Sequence, residues 1–388
     1  MRNVILQDVA EVRDNLLPIT YTRPVAEIRL GIDTIREKWE RAFPGEYSYK
    51  VSAAYLAPKF PMKEVDTLDD YYIASHVCPS DELVRLLETL PRGSRIVMAG
   101  GEEVARHGKE AQETVELEEN VMALHALPDI FLLNGEALKS DFEALTTGRD
   151  SQPLSDTVTV IGDRSQVFLE EGAWVEAAVL NVQNGPVYIG RNAELMEGTL
   201  IRGPLALCHD SHINMGTKVY GATTIGPWCK VGGELSNVVM LGYSNKAHDG
   251  FLGNAVIGEW CNLGADCVAS NLKNDYTEIK LWNYPAHRFL RTGLQFCGLI
   301  MADHSKAGIN TMFNTATVVG VGCNIHGSGY PRNFVASFSE GGAAGFSDVA
   351  MTKFFDIARR AMARRHVELT QTDIDIFEAI REIAETYK

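Results

Sequence analysis

The stretch Ile189-Gly190-Arg191-Asn192-Ala193-Glu194-Leu195-Met196-Glu197-Gly198-Thr199-Leu200-Ile201 decides the fold. Every sixth residue from Ile189 gives Leu195, Ile201, Leu207, Ile213, Val219, Ile225 and Val231, eight aliphatic positions in unbroken register. If such residues fill roughly a fifth of a chain, eight in a row arise by chance on the order of 10⁻⁶ of the time. Leu169 and Val175 begin the pattern earlier. It returns at Phe251, Ile257 and Leu263, and again at Met301, Ala307, Phe313, Val319 and Ile325. Glycine often follows the aliphatic residue, as at Gly190, Gly226, Gly258 and Gly320. The position four after it is small: Ala193, Thr199, Ser211, Thr217, Cys229, Cys261, Cys267 and Cys323. A helix needs apolar residues three and four apart, and a simple strand needs them two apart. Period six fits a coil of short strands separated by tight corners. The aliphatic side chain fills the interior, a small residue fits beside the corner, and glycine supplies φ values that other residues resist. Coils of this kind stack as solenoids. Residues 158–336 are therefore read as a parallel β-helix, with the cysteines as small buried residues.

Two interruptions break the period, at 234–250 and at 272–298. The second is rich in Trp, Tyr, Arg and Lys. Loops leaving a rigid solenoid are where function concentrates. Residues 1–150 alternate strand-like and helical patterns, which predicts a small α/β domain. The strand-like runs are Val4-Ile5-Leu6, Arg95-Ile96-Val97-Met98 and 128–133; the helical ones are 25–42, 80–89 and 135–144. Residues 147–157 read as linker. Two helices are expected within 347–388, at 347–365 and 370–387, the second capped at Thr370. The first carries Arg359, Arg360, Arg364 and Arg365 on a solvated or subunit-facing surface.

The formal net charge of −15 argues against a nucleic-acid partner, which needs a basic footprint. No apolar run is long enough for a bilayer, and the N-terminus has no signal-peptide h-region. Seven scattered cysteines without a Cys-x-x-Cys pattern fit a reducing cytoplasm.

The segment Lys246-Ala247-His248-Asp249-Gly250-Phe251-Leu252-Gly253-Asn254-Ala255-Val256-Ile257-Gly258-Glu259-Trp260-Cys261-Asn262-Leu263-Gly264-Ala265 resembles the acetyltransferase site of the bifunctional N-acetylglucosamine-1-phosphate uridyltransferase/glucosamine-1-phosphate acetyltransferase (GlmU-type) family. Leu16-Leu17-Pro18-Ile19-Thr20-Tyr21-Thr22-Arg23-Pro24 resembles a motif of sugar-1-phosphate nucleotidyltransferases. The resemblance covers most of the chain. It implies an N-terminal nucleotidyltransferase-like domain, reduced in size, and a left-handed β-helix of the hexapeptide acyltransferase superfamily assembled as a homotrimer. It implies His248 as general base, Asn262 and Asn271 as polar substrate contacts, Lys218 at a phosphate-binding position and Ala265 as a backbone contact of acetyl-CoA. Phe251 stands where the family has a substrate-binding Tyr, and Ser236 where it has a Lys. The loop 272–298 has no counterpart of that length.

An imidazole of ordinary basicity can take a proton from an attacking amine near neutral pH, and amide or backbone donors can hold the resulting oxyanion. The first reading is therefore a CoA-dependent acyltransferase acting on an amino-sugar phosphate or nucleotide sugar. The second is sugar-1-phosphate nucleotidyl transfer by residues 1–150, for which Mg²⁺ would be needed. The third is a non-catalytic trimeric scaffold. Against the second, no glycine occurs before Gly31, so the phosphate-cradling loop is missing. Asn134, Glu136 and Asp141 are candidates for metal ligation but read better as structural, and no metal ligand set is assigned. His209 and His212 on adjacent corners, and His304 and His326 in the last coils, read as surface or intersubunit residues.

Overall fold

The computed structural model describes residues 2–66 and 68–388. They divide into two units, one of residues 1–28 and 33–129, the other of 29–32 and 130–388.

In the second unit each full coil contributes three short strands. One face stacks Val179–Asn181, Leu200–Arg202 and Lys218–Tyr220; the next stacks Val187–Ile189, Leu205–Leu207 and Thr223–Ile225. The third stacks Trp174–Val175, Glu194–Leu195, His212–Ile213 and Lys230–Val231, and every one of these pairings is parallel. The period-six residues point inward: Ile189, Leu195, Leu207, Ile213, Ile225 and Val231 are 0% exposed. Each such burial contributes roughly 1.5–3 kcal/mol. The small position also has a bonding role. Thr199 and Thr217 each donate Oγ1 to the carbonyl three residues back, both at 2.6 Å, and Thr311 does the same at 2.8 Å. The thiols of Cys261 and Cys323 reach carbonyls of the next coil, each at 3.1 Å. Burial raises the Cys261 thiol to about 12, so it stays protonated and inert.

The glycines work differently from expectation. Gly190, Gly226 and Gly258 do not adopt positive φ. They are needed because the next coil is too close for a side chain: a Cβ on Gly226 would sit 2.1 Å from Leu241 O. The positive φ falls two residues later, at Asn192, Asp210, Trp228, Tyr243, Trp260 and His304. These form one corner of the solenoid, and stacking steadies it, with Tyr243 and Trp260 rings 4.2 Å apart.

The expected interruption at 234–250 is not an ejected loop. Glu234–Gly242 and Phe251–Glu259 are strands that run around a corner, in register with each other and with the coil before. The period slips because two corners are tighter, so that Leu235 follows Val231 and Met240 follows Leu235 in the interior. The excursion at 272–298 does leave the solenoid and folds into an antiparallel hairpin, Lys280–Asn283 with Arg288–Arg291. Trp282 of the hairpin stacks on Phe334 at 4.1 Å.

The helix Asn134–Thr146 covers the second face, with Leu138 and Phe142 against Phe168, Ala206 and Cys208. The segment 29–32 is clamped beside it: Gly31 N donates to Asn134 Oδ1 (2.8 Å), Ile32 N to Asp141 Oδ2 (2.7 Å) and Thr224 Oγ1 to Gly31 O (2.8 Å). Asn134 and Asp141 are thus buried packing clamps. Helices Met351–Ala363 and Gln371–Ala384 pack Phe354 and Phe377 edge-on to His304. His304 is therefore buried in an aromatic cluster, not a surface residue. Ser347 and Asp348, expected to open the first helix, instead end a strand, Gly345–Asp348, against Ser339–Gly342.

The first unit holds a six-stranded sheet of β1 (Asn3–Gln7), β2 (Glu46–Lys50), β3 (Tyr71–Ala74), β4 (Ser94–Met98), β5 (Glu103–His107) and β6 (Glu113–Leu117), in the order β2-β1-β3-β5-β4-β6. β2, β1 and β3 are parallel, and β5 is antiparallel to both its neighbours. Val4, Ile5 and Leu6 are all buried, as a strand covered on both faces requires. The helix expected over 25–42 is only Ile35–Ala42, begun by a capping box of Thr34 and Glu37; Gly31 at φ +78° keeps the helix from extending back. The strand-like run at 128–133 is instead a helical turn, Asp129–Leu132.

Gly31→Ala would place a methyl 2.4 Å from Asp141 Oδ2 and 2.8 Å from Ala137 C. The expected loss is about 3 kcal/mol, from left-handed strain plus a broken clamp. Gly93→Ala, with similar φ but open space around it, should lose only about 1 kcal/mol. Urea unfolding of the two variants side by side checks the difference.

Candidate functional site

His248 sits on the corner that follows the third face. Its backbone turn is fixed at every carbonyl. Asn214 Nδ2 donates to Ala247 O at 2.7 Å, Asp266 N to Asp249 O at 3.0 Å and Glu234 N to Gly250 O at 3.0 Å. Beneath the turn lies Lys246, paired with Val231 in the interior column and only 1% exposed. Its Nζ donates to Gly232 O (2.9 Å), His248 O (2.5 Å) and Asp249 O (3.1 Å). Burial lowers its pKa from 10.5 to about 8. The His248 ring itself is exposed and, among the described residues, makes no hydrogen bond or ion pair. A basic nitrogen on a fixed turn, open to solvent and unpaired, is arranged to accept a proton from something outside the chain.

Ala265 occupies the equivalent place one coil on, since Asp266 N bonds Asp249 O. Lys218, Glu234 and Phe251 line up across the adjoining first face as successive strand partners. Lys218 Nζ lies 3.8 Å from Glu234 Oε2 in an exposed pair worth little. Asn271 Nδ2 donates to Asn254 Oδ1 at 2.8 Å. Gly253 leaves room for Asn271 and Phe251, since a Cβ there would meet both within 2.7 Å. Within one chain, then, His248 and Ala265 share a corner, and Lys218, Phe251 and Asn271 share the face beside it.

Asn262 lies apart from them. It opens the third face near the aromatic corner, in a hollow with Tyr243, Trp260, Lys306, Arg364 and Arg365. Arg364 and Arg365 therefore look onto the solenoid rather than only to solvent. Of the other histidines on the solenoid, three have carboxylate neighbours. His209 pairs with Asp210 and His212 with Glu194, each at 2.9 Å, and His326 lies 3.8 Å from Glu340.

In the first unit the motif at 16–24 is a buried turn. Thr20 Oγ1 donates to Arg13 O (2.6 Å), and Arg13 Nη2 donates to Tyr55 Oη (2.6 Å) and Thr20 O (3.3 Å). Where a phosphate loop would follow β1, the buried Asp8 accepts from Ser75 Oγ (2.7 Å) and Val25 N (3.1 Å), and a short helix, Ala10–Asn15, follows. Burial holds the Asp8 carboxyl above the usual carboxylate range.

Lys246 escaped the sequence reading. Its signal is a lysine in the aliphatic column, visible only after the two short corners are allowed for.

Residues 4–150 match the sugar nucleotidyl transferase family. The chain is 30% identical over 95 residues to the bifunctional protein GlmU of Methanocaldococcus jannaschii, covering 24% of this chain and 22% of that one. It is 28% identical over 144 residues to a bifunctional sugar-1-phosphate nucleotidylyltransferase/acetyltransferase of Sulfurisphaera tokodaii, covering 37% and 35%. The matches thus span about a third or less of these relatives. A UDP-N-acetylglucosamine O-acyltransferase structure from Moraxella catarrhalis aligns over 59% of this chain and 92% of its own, at 11% identity and a TM-score of 0.21; the fold assignment rests on the strand registers above instead. Residues 4–150 are thus similar to sugar nucleotidyl transferases, and parts of the chain are similar to two bifunctional proteins of the GlmU type.

Proposed function

We propose that the chain is a CoA-dependent acyltransferase acting on an amino group of a sugar phosphate or nucleotide sugar, with His248 as general base. The observation that carries this is the unpartnered His248 ring on a turn anchored at every carbonyl. The Sulfurisphaera relative, whose name includes an acetyltransferase activity, supports the reaction class. In the proposed reaction the acceptor amine attacks the thioester carbonyl and His248 takes the amine proton. The tetrahedral adduct collapses to the amide, and the departing thiolate takes that proton back from the imidazolium, leaving free CoA. Lys218 would meet the acceptor's phosphate, Phe251 and Asn271 its sugar, and the Ala265 backbone the thioester arm of acetyl-CoA.

Assembly as a homotrimer completes the reading. Met215 and Ile309 stand on the same corner column as His248 and Ala265, 69% and 73% exposed. Apolar side chains so exposed on one line suit the seam of a second copy. Asn262, remote from His248 in its own chain, would then reach the site from a neighbour. All seven cysteines are buried, which suits a reducing compartment such as the cytoplasm, and among the described residues no helix is long and apolar enough to cross a membrane.

The family match at 4–150 favours a second activity in the first unit, sugar-1-phosphate nucleotidyl transfer with Mg²⁺. Pyrophosphate release from a nucleoside triphosphate and a sugar phosphate tests it.

Acetyl-CoA offered with a panel of amino-sugar phosphates should release free thiol. His248→Ala should lower turnover by about 10²- to 10⁴-fold with CoA binding kept. Undiminished turnover in the variant would remove His248 from the mechanism, and failure of the wild-type chain to bind acetyl-CoA would leave the second unit only as a scaffold.

Lys246 gives a second test, with its sign fixed by linkage. Its folded pKa is depressed, so between about 8 and 10.5 the unfolded chain holds a proton that the folded chain lacks. Stability should therefore rise with pH across that window, by roughly 3 kcal/mol. Lys246→Met should flatten this rise while staying within about 2 kcal/mol of wild type at pH 7. Its acyl transfer should drop at least about 10-fold as the His248 turn loses its anchor. Urea titrations at stepped pH and a turnover assay read the two effects; an unchanged pH slope rejects the assignment.

A further inference from the structure

We infer that the first unit binds a transition-metal ion, of the Zn²⁺ class, through His76, Glu102 and His125. Among the described residues this is the only group of three or more His, Cys, Asp or Glu side chains placed to share an ion, with all ligand atoms within 4.8 Å of one another. His76 Nε2 lies 2.8 Å from Glu102 Oε1, and His125 Nε2 lies 3.8 Å from Glu102 Oε2. Ligand atoms held about 2.1 Å from a tetrahedral ion are about 3.4 Å apart, so these separations bracket what the ion needs. The two rings meet edge to face at 5.3 Å.

Three segments distant in sequence supply the ligands, and backbone bonds fix each. His76 lies two residues beyond the end of β3, and Leu124 N donates to its carbonyl at 3.0 Å, next to a bridge between Val77 and Ala123. This couples the two histidine-bearing segments. His125 is held further by Asp129, whose Oδ2 accepts from His125 N and Ala126 N at 2.8 Å each. Glu102 lies on the tight connection between β4 and β5, where Met98 N donates to its carbonyl at 2.8 Å. The ligands are thus set by the backbone before any ion arrives, which lowers the cost of binding.

The chemistry selects the ion class. Two imidazoles and one carboxylate suit Zn²⁺ and its neighbours, whereas Mg²⁺ and Ca²⁺ prefer all-oxygen sites. His76 is fully buried, but the His125 and Glu102 side chains are 49% and 36% exposed. Three protein ligands with an exposed side leave a coordination position for water or a phosphate oxygen. The position also fits the sheet: His76 stands at the carboxyl end of a parallel strand, where open α/β sheets place their ligands. The inference does not depend on acyl transfer by the second unit.

The test uses the whole chain, stripped with a chelator and titrated with Zn²⁺ alone by calorimetry. One equivalent should bind and raise the unfolding midpoint. His125→Ala and Glu102→Gln, both at partly exposed positions, should each weaken affinity at least 10-fold and reduce the midpoint shift. His76→Ala should do the same if it folds. No stoichiometric binding, or affinity unchanged in both the His125 and Glu102 variants, overturns the site. Mg²⁺ binding as tightly as Zn²⁺ would equally reject the imidazole ligands.

Discussion

Everything in the second unit follows from one constraint: parallel strands of successive coils must stay in register while one aliphatic side chain per strand faces inward. Shifting a strand by a single residue would turn its buried side chain to solvent. The backbone groups of each coil bond the next, so neighbouring coils lie as close as two strands of a sheet. That closeness explains features which the interior packing alone does not. Gly226 exists because Leu241 O occupies the space of a side chain. Thr199 and Thr217 exist because corner carbonyls turn away from the ladder and need a donor from within. Tyr243 and Trp260 accept a left-handed backbone at the corner that carries their stacked rings.

Lys246 is the exception in the interior column. An ammonium in the interior column is unfavourable, and it is tolerated because three carbonyls of neighbouring turns surround it. Two of those carbonyls belong to His248 and Asp249. The cost of burying the charge is thus coupled to the conformation of the turn that displays the imidazole. A leucine at this position would pack better and leave those carbonyls without their donor. Lys306 repeats the device at the aromatic corner, where its Nζ is bound by Trp260 O and His304 O.

How legible this was depends on the range of the interaction that decides each element. The column from Ile189 to Val231 could be read because its constraint repeats at a fixed spacing. The corners after Val231 and Leu235 could not, because a shortened corner looks like lost periodicity, and so 234–250 resembled a loop. The role of the glycines was misjudged for a related reason: φ is a property of one residue, whereas close approach belongs to a coil some fifteen or more positions away. In the first unit, the capping box at Thr34 and Glu37 marks a helix start more sharply than the apolar pattern before it. His248, Phe251 and Ala265 lie in one sequence motif, and the register places them on one corner and the face beside it. Asn262 belonged to the same motif but lies on another side of the coil, because sequence proximity in a solenoid does not fix which face a residue occupies. His76, Glu102 and His125 carry no common spacing, and only the pairing of 76–78 with 122–124 brings the two histidines together.

What covers each face of the solenoid limits where a second copy can sit. The second face is taken by the helix Asn134–Thr146 and the clamp at 29–32. The aromatic corner is taken by the C-terminal helices through Phe354 and Phe377. The first face, by contrast, presents Leu200, Tyr220 and Val268, and the corner beside it presents Met215 and Ile309, all exposed. Apolar side chains are therefore left open on the face and corner that bear Lys218, Phe251 and His248. If assembly buried some other surface, these side chains would remain in water with no function in packing, and the solenoid would have shielded the wrong sides of itself. In the proposed trimer a seam along the first face would resolve that arrangement, because it would remove the apolar surface from water and enclose the imidazole in the same step.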